Sequence, residues 1–230
     1  MRIPSYSRYL TAHGNAGDAV LALATAPLLA AAEVRGDAPV FYKPGGLSHY
    51  PNVLSPILAL PRDIRVIVLP SSIDDKAARA LAKLPNLHLH CRGRESLAIA
   101  RKHGISCELS HDLAFSLDLS PWKKRGTGTL RCYRTDLESA TNHRPPDNRD
   151  LSADEHEIFT PENCTEWGHR FISGIAEDAE VETDRLHVAI VAALLGKTVR
   201  LVTGIDHKVR EVYHFSLAGL ANVELVEASA

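Results

Sequence analysis

The sequence predicts an α/β protein made of two halves, each with a mostly parallel sheet and helices on both faces. Three observations carry that reading. Short β-branched or apolar runs alternate with helical stretches along most of the chain, the pattern of strand–helix–strand units. The alternation breaks over residues 116–128, where Pro121, Lys123-Lys124-Arg125, Gly126 and Gly128 cluster. Finally, 230 residues with 45% hydrophobic and 23% charged side chains suffice for two small domains, each with its own core.

Residues 1–120 form the first expected domain. An apolar helical stretch follows Gly14-Asn15-Ala16-Gly17-Asp18, and its longest nearly uncharged part, 19–32, contains Pro27 and is too short to span a bilayer. A buried strand over 64–69 is expected to stop at Pro70, because proline cannot donate to a ladder. Then come a helix over 74–84, a strand over 87–91, a helix over 95–103 ended by Gly104, and a strand over 106–109. Residues 121–230 form the second domain. It has a strand over 129–134, a polar stretch over 141–150, a helix over 165–175 and a strand over 180–183. A buried helix over 185–195, a strand over 198–203, a helix over 207–217 and a strand over 223–226 complete it. Gly196 reads as the C-cap of the buried helix, with Lys197 as a cation near its last turn.

Bulk properties exclude some functions. A net charge of −2 with dispersed lysine and arginine leaves no basic patch for a nucleic-acid backbone. Without a basic-then-apolar leader at Met1, a cytoplasmic protein with no integral membrane segment is expected. Cys91, Cys107, Cys132 and Cys164 show no CxxC pairing and read as reduced structural thiols. His88 and His90 alternate with Leu87 and Leu89 as in any half-buried strand, so no metal site is expected there.

The segment Thr183-Asp184-Arg185-Leu186-His187 places a guanidinium and an imidazole where a strand gives way to a helix. Unpaired N–H groups and the helix dipole favour an anion there, and Arg185 would add a planar fork. On a solvated surface, Arg185 would instead pair with Asp184 or Glu182. Gly14 and Gly17 flank Asn15 at another helix start, where Asp18 would either cap the helix or act as a base. The pattern is neither GxGxxG nor a P-loop. Ligands of open parallel sheets bind beyond the carboxyl ends of strands, so the loops after strands are the informative ones.

Taken in order, these pieces resemble the polysaccharide pyruvyl transferase family. The resemblance rests on Gly14-Asn15-Ala16-Gly17-Asp18, Gly45-Gly46, Val68-Leu69-Pro70-Ser71-Ser72-Ile73, Arg92-Gly93-Arg94-Glu95-Ser96, His111-Asp112-Leu113-Ala114-Phe115, Thr183 to His187, Leu195-Gly196-Lys197 and Lys208-Val209. Pro44 stands where a third glycine is usual and Ser71 where glutamine is common. The resemblance implies two facing Rossmann-like domains, GT-B-like, with an inter-domain cleft. It also implies transfer of pyruvate from phosphoenolpyruvate onto a sugar or lipid-linked glycan acceptor as a ketal, with no cofactor. On this reading Arg185, Arg94, Gly14, Asn15, Gly17, Gly45, Gly46, Ser71 and His111 bind substrate. His187, able to hold or release a proton near neutral pH, is the acid, and Asp18 or the His111-Asp112 pair is the base. Arg92 is expected to cover a sheet edge and Lys208 to face water, while Tyr42, His49 and Tyr50 are candidates for sugar stacking. A nucleotide-sugar glycosyltransferase of the same architecture, with Glu211 holding a ribose, and a non-catalytic relative are the alternatives.

Overall fold

In chain order the elements are β1 (His13–Asn15), α1 (Ala16–Glu33), β2 (Val40–Tyr42), β3 (Gly45–Gly46), α2 (Pro51–Leu58), β4 (Val66–Ser72), α3 (Asp75–Leu81), β5 (Leu87–Cys91), α4 (Arg94–Lys102) and β6 (Ser106–Leu109). After two 3₁₀ turns, at Leu113–Ser116 and Ser120–Trp122, come β7 (Thr129–Cys132), β8 (Ala153–Ile158), α5 (Pro161–Ala176), β9 (Glu180–Thr183), α6 (Leu186–Leu194) and β10 (Thr198–Thr203). Then α7 (His207–Val212), extended by a π-helical turn over Tyr213–Leu217, leads to β11 (Val223–Glu227). This computed structural model describes residues 13–33, 40–47, 51–136, 139, 144–158, 161–203 and 207–227. His49, Tyr50 and residues 141–143 lie outside the described residues.

Two parallel sheets result. The first has the order β2-β4-β5-β6, with β3 alongside β4, and the second has the order β11-β10-β9-β7. Continuous apolar runs explain why both faces are covered: every residue of β4 except Ile67 is buried. Contrary to the expectation of a stop at Pro70, β4 continues to Ser72. Its register against β5 slips by one residue between Val68 and Ser71, and that irregularity absorbs a residue with no N–H. Ser71 and Ser72 are therefore strand residues.

The second core is centred on α6, where Val188, Ala189, Ile190, Val191 and Ala192 are completely buried. Each aliphatic side chain the size of valine or isoleucine so buried contributes about 1.5–3 kcal/mol. Helix α6 closes as a Schellman motif. Gly196, at φ +80°, donates to Ala193, and Lys197 donates from its backbone to Ala192.

Helix α1 departs from the division of the chain at residue 120. Its Ala16, Val20 and Leu21 join the core of the second sheet, together with Phe171, Ile172 and Ile175 of α5. The two-stranded antiparallel ribbon of β1 and β8 holds the same connection. Neither was legible, because β1 is three residues long and β8 reads Ala-Asp-Glu-His-Glu-Ile, without an apolar run. Among the described residues, no helix is long and apolar enough to cross a membrane.

Lys197 does something other than offset the dipole of α6. It is buried, and its Nζ donates to the carbonyls of Lys124 and Ala176, each at 2.8 Å, tying the segment between the sheets to the end of α5. Lys197→Met leaves those two carbonyls unpaired, and the expected loss is about 2–6 kcal/mol in urea unfolding, at ~1–3 kcal/mol per orphaned group. A loss below about 1 kcal/mol would mean that water replaces the ammonium there.

Candidate functional site

The carboxyl ends of β4 and β5, the loop after β6 and the first turn of α6 meet in one buried polar network. Arg92 follows β5 and continues its ladder, donating its backbone N–H to Ser71. Its guanidinium donates from Nε to Ser72 Oγ at 2.9 Å and from Nη1 to Asp112 Oδ2 at 2.7 Å. Asp112 caps the 3₁₀ turn at Leu113–Ser116 by accepting from Ala114 N, and its side chain is wholly buried. Across the divide, His187 Nε2 stands 3.6 Å from Asp112 Oδ2.

Helix α1 seats the other side of the imidazole. Asn15 caps α1 through Gly17 N at 3.1 Å, so the capping role considered for Asp18 belongs to Asn15. A Cβ on Gly17 would fall 2.6 Å from His187 Nδ1, so only glycine lets α1 approach so closely. The glycine loop and His187, 170 positions apart, thus form one structure.

The network continues through Ser72 Oγ, which donates to Glu211 Oε1 at 2.6 Å. Ser96 donates its Oγ to Oε1 at 2.8 Å and its backbone N–H to Oε2 at 2.9 Å. Gly93, the N-cap of α4, has no side chain to satisfy that terminus, so the Glu211 carboxylate from α7 supplies the anion. With both oxygens engaged, Glu211 is a strut between the halves and not a free ribose ligand.

Other expectations are revised by the geometry. The Arg185 fork is filled: its Nε and Nη2 lie 2.5 Å from the two Asp150 oxygens, and Nη2 lies 3.3 Å from Asp136. The alternative of Arg185 on a solvated surface also fails, since Arg185 is buried, and Glu182 pairs with Arg131 and Arg200. Arg94 is exposed on the first turn of α4, whereas Arg92, expected merely to cover a sheet edge, is buried. Ser71 turns its hydroxyl to its own strand, donating to Leu69 O at 2.7 Å. His111 lies on the opposite side from Asp112, its Nδ1 2.9 Å from Ser216 Oγ and its ring stacked on Phe215 at 4.7 Å. Gly14 is the middle residue of β1. Lys208 does not face only water: its side chain passes over Gly46, which pairs with Ser72 as Gly45 pairs with Ser71. Asp18 lies 3.7 Å from Lys43, beyond β2.

Contacts link Lys43 to Asp18, Gly17 to His187, and His187 through Asp112, Arg92 and Ser72 to Glu211, while Lys208 lies beside Gly46. Sequence reading missed Asp112 as the hub. The available signal was its place one residue beyond a charge-bearing loop, at the carboxyl edge of the first sheet. The four cysteines are free, and burial pushes Cys91 and Cys132 up to about 12 and Cys164 up to about 11, so these three are inert thiols.

Burial by itself would raise the Asp112 carboxyl, but His187 and Arg92 beside it, with the Ala114 N–H, hold it well below the ordinary value of 3.8. A depressed carboxylate stabilises the fold fully above its unfolded pKa and loses that contribution as pH falls towards the folded value. Wild-type stability should therefore fall more steeply than that of Asp112→Asn as urea midpoints are measured from about pH 5 down to 3. Parallel profiles would show that Asp112 is not the charged hub.

No protein-family model matches the chain, and no curated protein matches it. Among solved structures, it is similar to a functionally uncharacterised protein from Klebsiella pneumoniae subsp. pneumoniae NTUH-K2044. The two are 22% identical over 95% of this chain and 91% of the other, with a TM-score of 0.75. That likeness establishes a shared α/β fold.

Proposed function

We propose that the protein transfers pyruvate from phosphoenolpyruvate onto a sugar or glycan precursor as a ketal, in a GT-B-like cleft between two facing Rossmann-like domains. The observation that carries this reading is the seat of His187. A titratable ring at the start of α6 is held between Gly17 and the buried Asp112–Arg92 pair, where the carboxyl edges of both sheets come together. Lys43, beside Asp18, and Lys208, beside Gly46, would supply the two separated cations that a phosphate and a carboxylate require.

In this reaction His187 protonates the methylene carbon of the donor, converting it to a methyl group and leaving the adjacent carbon cation-like. A sugar oxygen bonds to that carbon and its proton passes to Asp18, the carboxylate beside Gly17. The second sugar hydroxyl then displaces phosphate from the same carbon, its proton leaving with the phosphate. Solvent returns the proton from Asp18 to His187. Asp112 is a positioning residue: paired and depressed, it is a poor base but it orients the imidazole. The paired state of Arg185 favours one competing reading, a ligand-binding relative without catalysis.

Phosphoenolpyruvate at about 100 times its dissociation constant should raise the melting midpoint by about 5–10 °C, from ~2.7 kcal/mol of linkage and ~2–4 °C per kcal/mol. That shift should shrink in Lys208→Ala. A shift with nucleotide sugars alone, or with free phosphate equally, would overturn the donor assignment. His187→Ala should lower turnover about 10²–10⁴-fold while keeping most of the phosphoenolpyruvate shift. Gly17→Ala, which pushes the ring aside, should reproduce that split, and unchanged turnover in both variants would remove His187 from the chemistry.

A further inference from the structure

Away from this cleft, β5 and the edge strand β6 bring together three side chains that the chain order keeps apart. Their parallel register sets His88 opposite Ser106 and His90 opposite Glu108. Alternate strand residues share a face, so both imidazoles rise on the same side. Glu108 Oε1 lies 3.0 Å from His90 Nδ1 and 3.8 Å from His88 Nε2, and one ligand atom from each of the three residues lies within 4.8 Å of the others. Donors about 2.0–2.1 Å from a tetrahedral cation stand ~3.3 Å apart, which those two separations bracket. Side-chain rotation alone would close the set.

One of the two neighbouring hydroxyls fits the same geometry. Ser106 Oγ is 2.9 Å from His88 Nδ1, on the nitrogen other than the one facing Glu108, which is where an outer-shell partner fixes the tautomer of a ligating imidazole. Ser110 Oγ lies 3.0 Å from His90 Nδ1, the nitrogen that would ligate, so this hydroxyl must turn away when a cation binds. The histidine side chains are 32% and 24% exposed and Glu108 is 57% exposed, so a cation can arrive from solvent and retain an open coordination position.

We infer that His88, His90 and Glu108 form a binding site for a first-row divalent cation, zinc foremost, ligated by His88 Nε2, His90 Nδ1 and a Glu108 oxygen. Imidazole with carboxylate is a donor set suited to such ions. This goes beyond the two-histidine strand pattern, because the third ligand arrives through strand pairing. It is independent of the pyruvyl-transfer reading. A bound cation would clip edge strand β6 to β5, and with it the chain that runs on through Ser110 to Asp112.

The test is calorimetric titration of zinc chloride into the metal-stripped full-length protein, with cobalt(II) absorbance reporting the coordination. Wild type should take up one zinc per chain. His88→Ala, His90→Ala and Glu108→Gln should each weaken binding by more than the ~10–100-fold that an outer-shell partner contributes, and Ser106→Ala by about 10-fold. Glu108→Gln changes an exposed position on an edge strand, so it separates loss of a ligand from loss of fold, and circular dichroism checks each variant. No zinc uptake by wild type, or uptake unchanged in Glu108→Gln and His90→Ala, would overturn the site and leave a hydrogen-bonded strand pair.

Discussion

A buried negative charge at Asp112 is the constraint on which the polar network between the two sheets depends. A carboxylate removed from water is tolerable only when cations and donors surround it, and here they come from three directions: Arg92 from β5, Ala114 N from its own turn and His187 from α6. Each partner is thereby fixed in turn. Arg92 cannot swing into solvent without stranding Asp112, and Ser72 and Glu211 are positioned by what Arg92 leaves unfilled. The orientation of the His187 ring follows from the electrostatics of Asp112 on one side and from the absence of a side chain at Gly17 on the other.

Charge placement also explains why helix termini in this protein differ in character. The start of α4 is occupied by Glu211, so it serves cohesion between the halves. The start of α6 has no side-chain cap from Arg185, whose backbone N–H is satisfied by Thr183 Oγ1 and whose guanidinium is turned to Asp150. Two helix starts of similar sequence appearance thus end in different chemistry, decided by whether an acidic side chain from elsewhere reaches them.

Most of the parallel framework was legible, because short strand-like runs such as the alternating Leu87–Cys91 and the β-branched Thr198–Thr203 leave little choice of period, and both strands begin and end where the pattern does. The boundary at Pro70 was not, since a one-residue slip in register is a property of the pair of strands and not of either alone. The site divides in the same way. His187 and Gly17 stood out from local patterns, one for its titration and the other for its freedom at a helix start. The partners of Arg185 did not, because Asp150 follows an aperiodic Pro/Asn/Asp-rich stretch and nothing local ties it to a position 35 residues later. The burial of Arg92 was not legible either, since Gly93 alone separates a guanidinium held by Ser72 and Asp112 from the exposed Arg94.

The lodging of α1 against α5 has a consequence for the birth of the chain. Cys164 Sγ reaches the carbonyl of Ala19 across 145 positions of sequence, and Val20 and Leu21 lie in a core whose remaining members are made much later. During synthesis α1 emerges apolar on most sides and, apart from Leu69, waits for the α5 and α6 partners that are made more than a hundred residues later. Native contacts of such long range slow folding and leave greasy surface open to wrong encounters in the interval.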